Sequence, residues 1–210
     1  MILDPQTLTH QDAYKLLLGS VVPRPIAFVS SMGADGSLNL APFSFFTVVA
    51  SNPMSVVFSV MRRGPEATVK DTLANVEETG EFVVNIVNEA LVPMMNASSA
   101  DFPRGVSEFE AVGLTPLPSE VVRAPRVAES PINMECKLLR TVEVGDGPGG
   151  GTLVIGQVVR FHVRDELYDR GRIDPDKLQA VGRMAGTTYA RTTDRFELAR
   201  PVYVPEPSRP

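Results

Sequence analysis

The chain has 210 residues, which fits a single domain over residues 1–210, and its 43% hydrophobic and 21% charged residues are typical of a globular protein, not a disordered or fibrous one. Its 20 basic and 25 acidic residues give a net charge of −5, which argues against general nucleic-acid binding. The 18 prolines and 16 glycines indicate many turns and short elements, not a helical bundle.

Cysteine and histidine are scarce, which limits the chemistry that side chains alone can supply. Cys136 has no partner for a disulfide, and its neighbours predict a buried strand position and not a nucleophile. His10 and His162 lie in no metal-binding or catalytic-triad spacing. No signal peptide and no apolar run of about 18 residues is present, so we expect a cytoplasmic protein that does not enter a membrane.

The first elements are predicted to be a helix and a β-hairpin. Residues 9–18 form the helix, in which Thr9 and Asp12 have the spacing of a capping box. Residues 26–30 and 38–51 are rich in apolar and β-branched side chains and flank a turn that contains two glycines. We therefore expect two antiparallel strands here.

The middle of the chain contains a proline within a strand and a helix that follows a strand. Pro42 cannot donate to a β-ladder, so we expect an edge, a bend or a bulge at this position. Residues 55–61 are apolar on both faces and predict a central strand. Residues 72–79 predict a short helix that is capped by Asp71 or Thr72.

The second half of the chain adds further strands and short helices. Residues 81–87 predict a strand, residues 88–112 short helices and loops, and residues 134–144 and 152–163 a second hairpin. Asp174, followed by a proline, predicts the start of a brief helix. Connections this short exclude parallel crossovers, so we expect a mainly β fold, an antiparallel β-barrel with short helical insertions.

The Gly-rich segment 145–150 formally matches the dinucleotide-binding pattern G-x-G-x-x-G. That motif requires a helix after the glycines, so that the pyrophosphate lies at the helix N-terminus. Here the next residues, beginning with Thr152, continue as a strand. We therefore predict a hairpin loop and no dinucleotide site.

Lys70, Asp71 and Thr72 stand at the predicted start of a helix. Free N–H groups, an ammonium and a hydroxyl are the components of a phosphate site. A simpler interpretation is that Asp71 and Thr72 only cap the helix while Lys70 is solvated. The sequence leaves both interpretations open.

Two further parts of the sequence have residue types that suit ligand binding. Residues 24–31 and 39–46 alternate small polar residues with aromatic ones, which suits a flat heteroaromatic ligand, although the phenylalanines also suit a core. In residues 182–191, Arg183 could bind phosphate and Tyr189 could stack on a ring, although a surface loop fits equally well.

Together these segments resemble the flavin reductase-like, FMN-binding split-barrel family, in particular its longer members related to flavoredoxin. The resemblance is carried, in order along the chain, by residues 23–30, 39–46, 70–75, 80–85 and 182–183 with Tyr189. It implies an antiparallel split β-barrel, a homodimer and FMN bound near the subunit interface.

The resemblance also implies a set of flavin-binding residues from four parts of the chain. Those expected near the ring and the ribityl chain are Ser30, Ser31, Asn39, Ala41, Ser44, Phe45 and Phe46. Those expected to anchor the phosphate are Lys70, Asp71 and Thr72, and those expected to close the site are Arg183 and Tyr189. No side chain is assigned as catalytic, because the flavin carries the chemistry.

The function implied is a flavin oxidoreductase that takes hydride from NADH or NADPH and passes electrons to free flavin or to another acceptor, such as a partner monooxygenase. Shorter family members often have a histidine in the Gly-Arg segment, where this chain has Met184. Two alternatives therefore remain, namely a non-enzymatic FMN-binding electron carrier and an enzyme like pyridoxamine-phosphate oxidase.

Overall fold

The computed structural model describes residues 1–103 and 105–203. The β-strands are β1 (Ala27–Met32), β2 (Leu38–Phe43), β3 (Phe46–Ser51), β4 (Met54–Met61), β5 (Glu81–Ile86), β6 (Pro116–Leu117), β7 (Arg126–Val127), β8 (Ile132–Val144), β9 (Gly151–Val163), β10 (Tyr168–Asp169), β11 (Arg172–Ile173), β12 (Val181–Arg183) and β13 (Tyr189–Arg191). The α-helices are α1 (His10–Ser20), α2 (Asp71–Thr79), α3 (Val92–Ala97), α4 (Glu108–Val112) and α5 (Pro175–Leu178).

Seven strands form one antiparallel sheet in the order β2-β1-β5-β8-β9-β4-β3. The two edge strands, β2 and β3, are consecutive in the chain but do not pair with each other, so the sheet is not closed. The remaining strands form two-stranded ribbons. The prediction of a mainly antiparallel β fold with short helices is confirmed.

Several local predictions agree with the structure. The hydroxyl of Thr9 accepts a hydrogen bond from the N–H of Asp12 at 3.1 Å at the start of α1. Asp174 caps α5 by accepting from the next two free N–H groups. The Gly-rich segment is the loop between β8 and β9, and Cys136 is fully buried in β8. Each of these features depends on short-range sequence.

The predicted strand 38–51 is two strands and not one. The strand is interrupted at Ser44 and Phe45, because β2 pairs with β1 whereas β3 pairs with β4 at the opposite edge of the sheet. Pro42 lies on β2 opposite Phe28, and β2 is an edge strand, as expected for a residue without an N–H donor.

The strand β1 is buried on both faces. Ala27 and Val29 belong to one hydrophobic cluster, which the sheet shares with Leu73 and Val76 of α2. Phe28, on the opposite face, belongs to a second cluster that is covered by α3 and α4. Alternation along a strand sends successive side chains to opposite faces, so β1 contributes to both clusters.

A buried asparagine joins four elements beneath the second cluster. Asn85 of β5 donates through Nδ2 to the carbonyl of Phe28 at 2.9 Å and to the hydroxyl of Ser30 at 3.1 Å. Its Oδ1 accepts from the N–H of Val127 at 2.9 Å and from the amide of Asn133 at 2.8 Å. One fully buried side chain thus satisfies donors and acceptors of β1, β7 and β8.

We predict that Asn85→Ala destabilises the protein by about 3 kcal/mol or more, because the buried donors of Val127 and Asn133 lose their acceptor. The free energy of unfolding, measured by urea denaturation, is the readout. Asn96→Ala is the matched control. Asn96 is exposed and accepts one hydrogen bond, from Tyr189, so its loss should cost no more than about 1 kcal/mol. Equal losses for the two variants would contradict the assignment.

Candidate functional site

The helix α2 begins without a side-chain cap. Its N-cap residue is Lys70, whose side chain has no acceptor to offer the free N–H groups of the first turn. The prediction that Asp71 or Thr72 caps this helix is therefore wrong. The hydroxyl of Thr72 instead accepts a hydrogen bond from Asn39 at 2.8 Å. An uncapped N-terminus of this kind favours an anion.

Two cations lie close to this helix start. Lys70 is half-buried, and its Nζ lies 5.5 Å from the centre of the Phe43 ring. Burial lowers the pKa of Lys70, the positive charge of Arg63 lowers it further, and Asp101 acts in the opposite direction. Arg63 itself lies 3.3 Å from a carboxylate oxygen of Asp101. The interpretation of Lys70 as a solvated side chain does not fit this half-buried position.

A polar network fixes the first turn of α2 to the sheet. Asn39 of β2 donates to Thr72 at 2.8 Å and to the hydroxyl of Ser31 at 3.3 Å, and Asn75 of α2 donates to the same hydroxyl at 3.2 Å. All four side chains are buried. The network therefore sets the position of the helix N-terminus. We use the name α2 cluster for Ser31, Asn39, Arg63, Lys70, Asp71, Thr72 and Asn75.

Ser30 and Ser31 lie on opposite faces of β1. Ser31 belongs to the α2 cluster, whereas the hydroxyl of Ser30 donates to the carbonyl of Pro125 at 2.5 Å and accepts from Asn85. Ser30 is fully buried by these contacts. The structure thus brings only one of the two predicted serines to the α2 cluster.

Arg24 fixes the end of α1 to the carboxyl-terminal part of the chain. It is 5% exposed, and its guanidinium donates to the carbonyls of Leu18 at 2.8 Å, Val21 at 2.7 Å and Met184 at 3.0 Å. It also donates to the hydroxyl of Ser44 at 3.4 Å. Ser44 directly follows Phe43, whose ring lies under Lys70. Arg24 and Lys70 therefore contact adjacent residues of the chain.

Arg183 and Tyr189 lie next to Arg24. The backbones of Arg183 and Arg24 exchange two hydrogen bonds, at 2.8 and 2.9 Å. The guanidinium of Arg183 lies 4.6 Å from the centre of the Tyr189 ring, whose hydroxyl donates to Asn96 at 2.9 Å. Burial lowers the pKa of Arg24, and the charge of Arg183 lowers it further. We use the name arginine cluster for Arg24, Ser44, Arg183 and Tyr189.

The remaining predicted residues have apolar surroundings. Ala41 packs against the first hydrophobic cluster. Phe45 and Phe46 line a groove of about 780 Å³ between α1 and the strands β3, β4 and β9. Its walls are largely apolar and include Tyr14 and Leu17 of α1. The groove, the α2 cluster and the arginine cluster meet at the segment 43–46.

Sequence reasoning did not assign Arg24, Arg63 or Asn75 to the site. Arg24 stands between two prolines, and Arg63 is the second of two consecutive arginines after a strand. Both patterns are signals in the sequence that could have marked these residues as candidates. Asn75 has no such signal, because its role depends on the fold that brings α2 over Ser31.

The described residues offer few side chains suited to a thiolate nucleophile or to a metal site. Burial raises the pKa of the Cys136 thiol strongly, which disfavours a thiolate nucleophile. Within residues 1–103 and 105–203, no group of three or more His, Cys, Asp or Glu side chains could hold a metal ion. No helix of these same segments has the length and apolar character needed to cross a bilayer.

Comparison with known protein families gives a match over most of the chain. The family model described as "flavin reductase like domain" matches residues 18–178. This match covers the α2 cluster, Arg24 and Phe43–Phe46 in sequence, while Arg183 and Tyr189 lie just beyond it. The resemblance stated from the motifs is confirmed at the level of the family.

Solved structures with a similar fold have oxidoreductase names. Nitrilotriacetate monooxygenase component B from Bacillus cereus is 45% identical, with a TM-score of 0.90 over 94% of this chain and 98% of that one. 2-Nitrobenzoate 2-nitroreductase from Pseudomonas fluorescens is 37% identical, with a TM-score of 0.87 over 98% and 99%. A putative flavin reductase with a split barrel domain from Shewanella frigidimarina is 24% identical, with a TM-score of 0.80 over 97% and 100%. The fold is therefore a split barrel.

Proposed function

Because the chain belongs to the flavin reductase-like family, we propose that it is an FMN-binding oxidoreductase that takes hydride from NADH or NADPH and passes electrons to free flavin or another acceptor. The observation that carries the choice of FMN is the α2 helix start, which has no side-chain cap and lies beside two cations, Lys70 and Arg63. Such a site is suited to a terminal phosphate.

The two cations and the first-turn N–H groups of the α2 cluster fit a phosphate monoester in charge and in donor type. The phosphate of FMN carries nearly two negative charges at neutral pH and offers only acceptors. Lys70, Arg63 and the first-turn N–H groups offer only donors. Burial lowers the pKa of Lys70, and the nearby charge of Arg63 lowers it further; an anion between the two cations would relieve their repulsion. The donor set therefore matches the group.

The other clusters would hold the rest of the molecule. The arginine cluster offers a hydroxyl, a guanidinium and an aromatic ring, and Phe45 and Phe46 offer an apolar surface. Bound FMN supplies two-electron redox chemistry through its isoalloxazine ring. The protein side chains bind and orient that ring, and the apolar groove limits access of water to it. Because the flavin supplies the redox chemistry and the side chains bind and orient it, no catalytic side chain is required.

The names of similar proteins suggest two classes of electron acceptor. One relative is the component B of a monooxygenase, which favours a partner monooxygenase that receives reduced flavin. Another is a 2-nitrobenzoate nitroreductase, which favours a nitroaromatic acceptor. A non-enzymatic electron carrier remains the second candidate, because Met184 stands where shorter relatives often have histidine. The carbonyl of Met184 accepts a hydrogen bond from Arg24, which places this residue beside the arginine cluster.

We predict that the FMN-loaded protein oxidises NADH or NADPH in the presence of free FMN or 2-nitrobenzoate. The loss of nicotinamide absorbance is the measurement, and the flavin spectrum of the purified protein reports the cofactor. Heat-denatured protein with the same amount of free FMN is the control. Flavin binding without nicotinamide oxidation, together with rapid reduction by a chemical donor, would contradict the reductase and support the carrier.

We predict that Lys70→Ala weakens FMN binding by about 1.5–3 kcal/mol, the contribution of a charge-assisted hydrogen bond. Riboflavin, which has no phosphate, should bind nearly as well to this variant as to the wild type. Arg63→Ala should show the same preference. Fluorescence quenching of each flavin gives both dissociation constants.

The matched control for Lys70 is Lys137→Ala, which removes an exposed lysine of β8 outside the α2 cluster. It should leave both dissociation constants unchanged. If Lys70→Ala weakened FMN and riboflavin equally, the phosphate would have to lie elsewhere.

We further propose that the protein is a homodimer in which the groove beside α1 faces a second copy. Leu17, which lines the groove, is 56% exposed, and Val48, which follows the lining residue Thr47 on β3, is 72% exposed. β3 is an edge strand, so its outer backbone groups are also unpaired within the sheet. An apolar groove next to an exposed apolar edge is the kind of surface that oligomers bury.

We predict that the wild-type protein is dimeric in light scattering coupled to gel filtration, and that Val48→Asp and Leu17→Asp each produce a monomer. A carboxylate buried in an apolar interface without a partner is strongly unfavourable. Tyr168→Asp, which changes an exposed residue of β10 outside the groove, is the control and should stay dimeric. A monomeric wild type, or dimeric Val48 and Leu17 variants, would contradict the assignment.

A further inference from the structure

A second pocket, of about 430 Å³, lies where β7 meets the start of β8 and the end of β9. It shares no lining residue with the α2 cluster, the arginine cluster or the groove. Strand pairing builds it. His162 of β9 lies opposite Asn133 of β8, and the N–H of Arg164 donates to the carbonyl of Pro131. The side chain of Asn133 donates to the carbonyl of Val127, the residue after Arg126.

Two guanidinium groups line this pocket, and both bond only to carbonyl oxygens. Arg126 donates to the carbonyl of Pro118 at 3.1 and 3.2 Å, and Arg164 donates to the carbonyl of Glu129 at 2.7 Å. Among the residues that the structure describes, no carboxylate forms an ion pair with either arginine. A guanidinium has five N–H donors, so both side chains keep donors for a further acceptor.

A buried carboxylate fixes the position of an imidazole ring at the wall of this pocket. The Nε2 atom of His162 lies 2.5 Å from Oε1 of Glu135, whose side chain is completely buried. The carboxylate also accepts from the N–H groups of Glu120, Val121 and Val122 at 2.6–3.0 Å. Burial would raise the pKa of Glu135, but these hydrogen bonds together lower it to about 2. The ring of His162 is thus fixed by an ionised group.

The size and the walls of the pocket indicate the kind of anion. Leu117, Ala128, Pro131 and Val163 contribute apolar atoms beside the two guanidinium groups. A volume of about 430 Å³ lies in the range of small-molecule sites and exceeds what an inorganic ion needs. The planar guanidinium fork matches a carboxylate with two parallel hydrogen bonds.

We propose that this pocket binds a small organic carboxylate, with Arg126 and Arg164 contacting the carboxylate group and the apolar atoms of Leu117, Ala128, Pro131 and Val163 contacting the rest of the molecule. The ligand bound here is separate from the flavin, because the residues of the two sites do not overlap. The proposal therefore does not depend on the cofactor or on the electron acceptor.

The test is calorimetric titration of the full chain, with the flavin that it carries on purification, using benzoate as the probe. The Arg126→Gln/Arg164→Gln double variant should bind benzoate at least tenfold more weakly than the wild type. Arg172→Gln, which changes an exposed arginine of β11 outside the pocket, should bind it as the wild type does. Equal affinity of the wild type and the double variant for benzoate would overturn the proposal, because binding would then occur elsewhere, for instance at the flavin.

Two further probes use the wild-type protein and so do not depend on the folding of a variant. Benzamide has the shape of benzoate without its charge and should bind at least tenfold more weakly. Inorganic phosphate should displace benzoate only weakly. No detectable benzoate binding, benzamide binding equal to that of benzoate, or phosphate binding tighter than benzoate would each overturn the proposal of an organic carboxylate.

Discussion

The burial of β1 on both faces is the constraint on which the other elements depend. Its side chains alternate between two hydrophobic clusters, so each face of the strand needs a separate cover. One cover is α2, and the other is formed by α3, α4 and the segment around Val127. The two serines at 30 and 31 are also buried, and each must find its hydrogen bonds inside the protein. The covers and the neighbouring strands β2 and β5 supply them.

The same constraint separates a structural face of β1 from the face where we propose that the cofactor binds. On one side, Ser30, Asn85 and Asn133 satisfy one another and the backbone around Pro125 and Val127. On the other side, the network of Ser31 holds the N-terminus of α2 in place. The helix start has no side-chain cap because its N-cap residue is a lysine, and the hydroxyl of Thr72 accepts from Asn39. The polar packing that fixes the helix therefore also leaves its positive end available to a ligand.

The sequence predicted the features that depend on neighbouring residues and missed those that depend on distant ones. The cap at Thr9, the cap at Asp174 and the loop between β8 and β9 follow from short motifs, and the structure has all three. The break at Ser44 was missed, because it arises when the chain changes its partner strand from β1 to β4. Alternation along β1 could have separated Ser30 from Ser31, since it requires only the strand boundaries. The role of Asn75 could not be predicted, since its partner Ser31 lies 44 residues away. The two prolines around Arg24 mark that residue, but its partner Met184 lies 160 residues away and only the fold reveals it.

Charge placement connects the fold to the proposed cofactor. The chain carries a net charge of −5, yet it holds Lys70 near Arg63 and Arg24 near Arg183. Lys70 lies over the ring of Phe43, and Arg24 donates to the adjacent Ser44. In each pair, burial and then the like charge lower the pKa of one member, which means that the fold keeps these groups together at a cost in free energy. Hydrophobic packing alone does not require such pairs. A dianionic phosphate near Lys70 would offset this cost, which supports the proposal that the cofactor is a phosphorylated flavin and not an uncharged one.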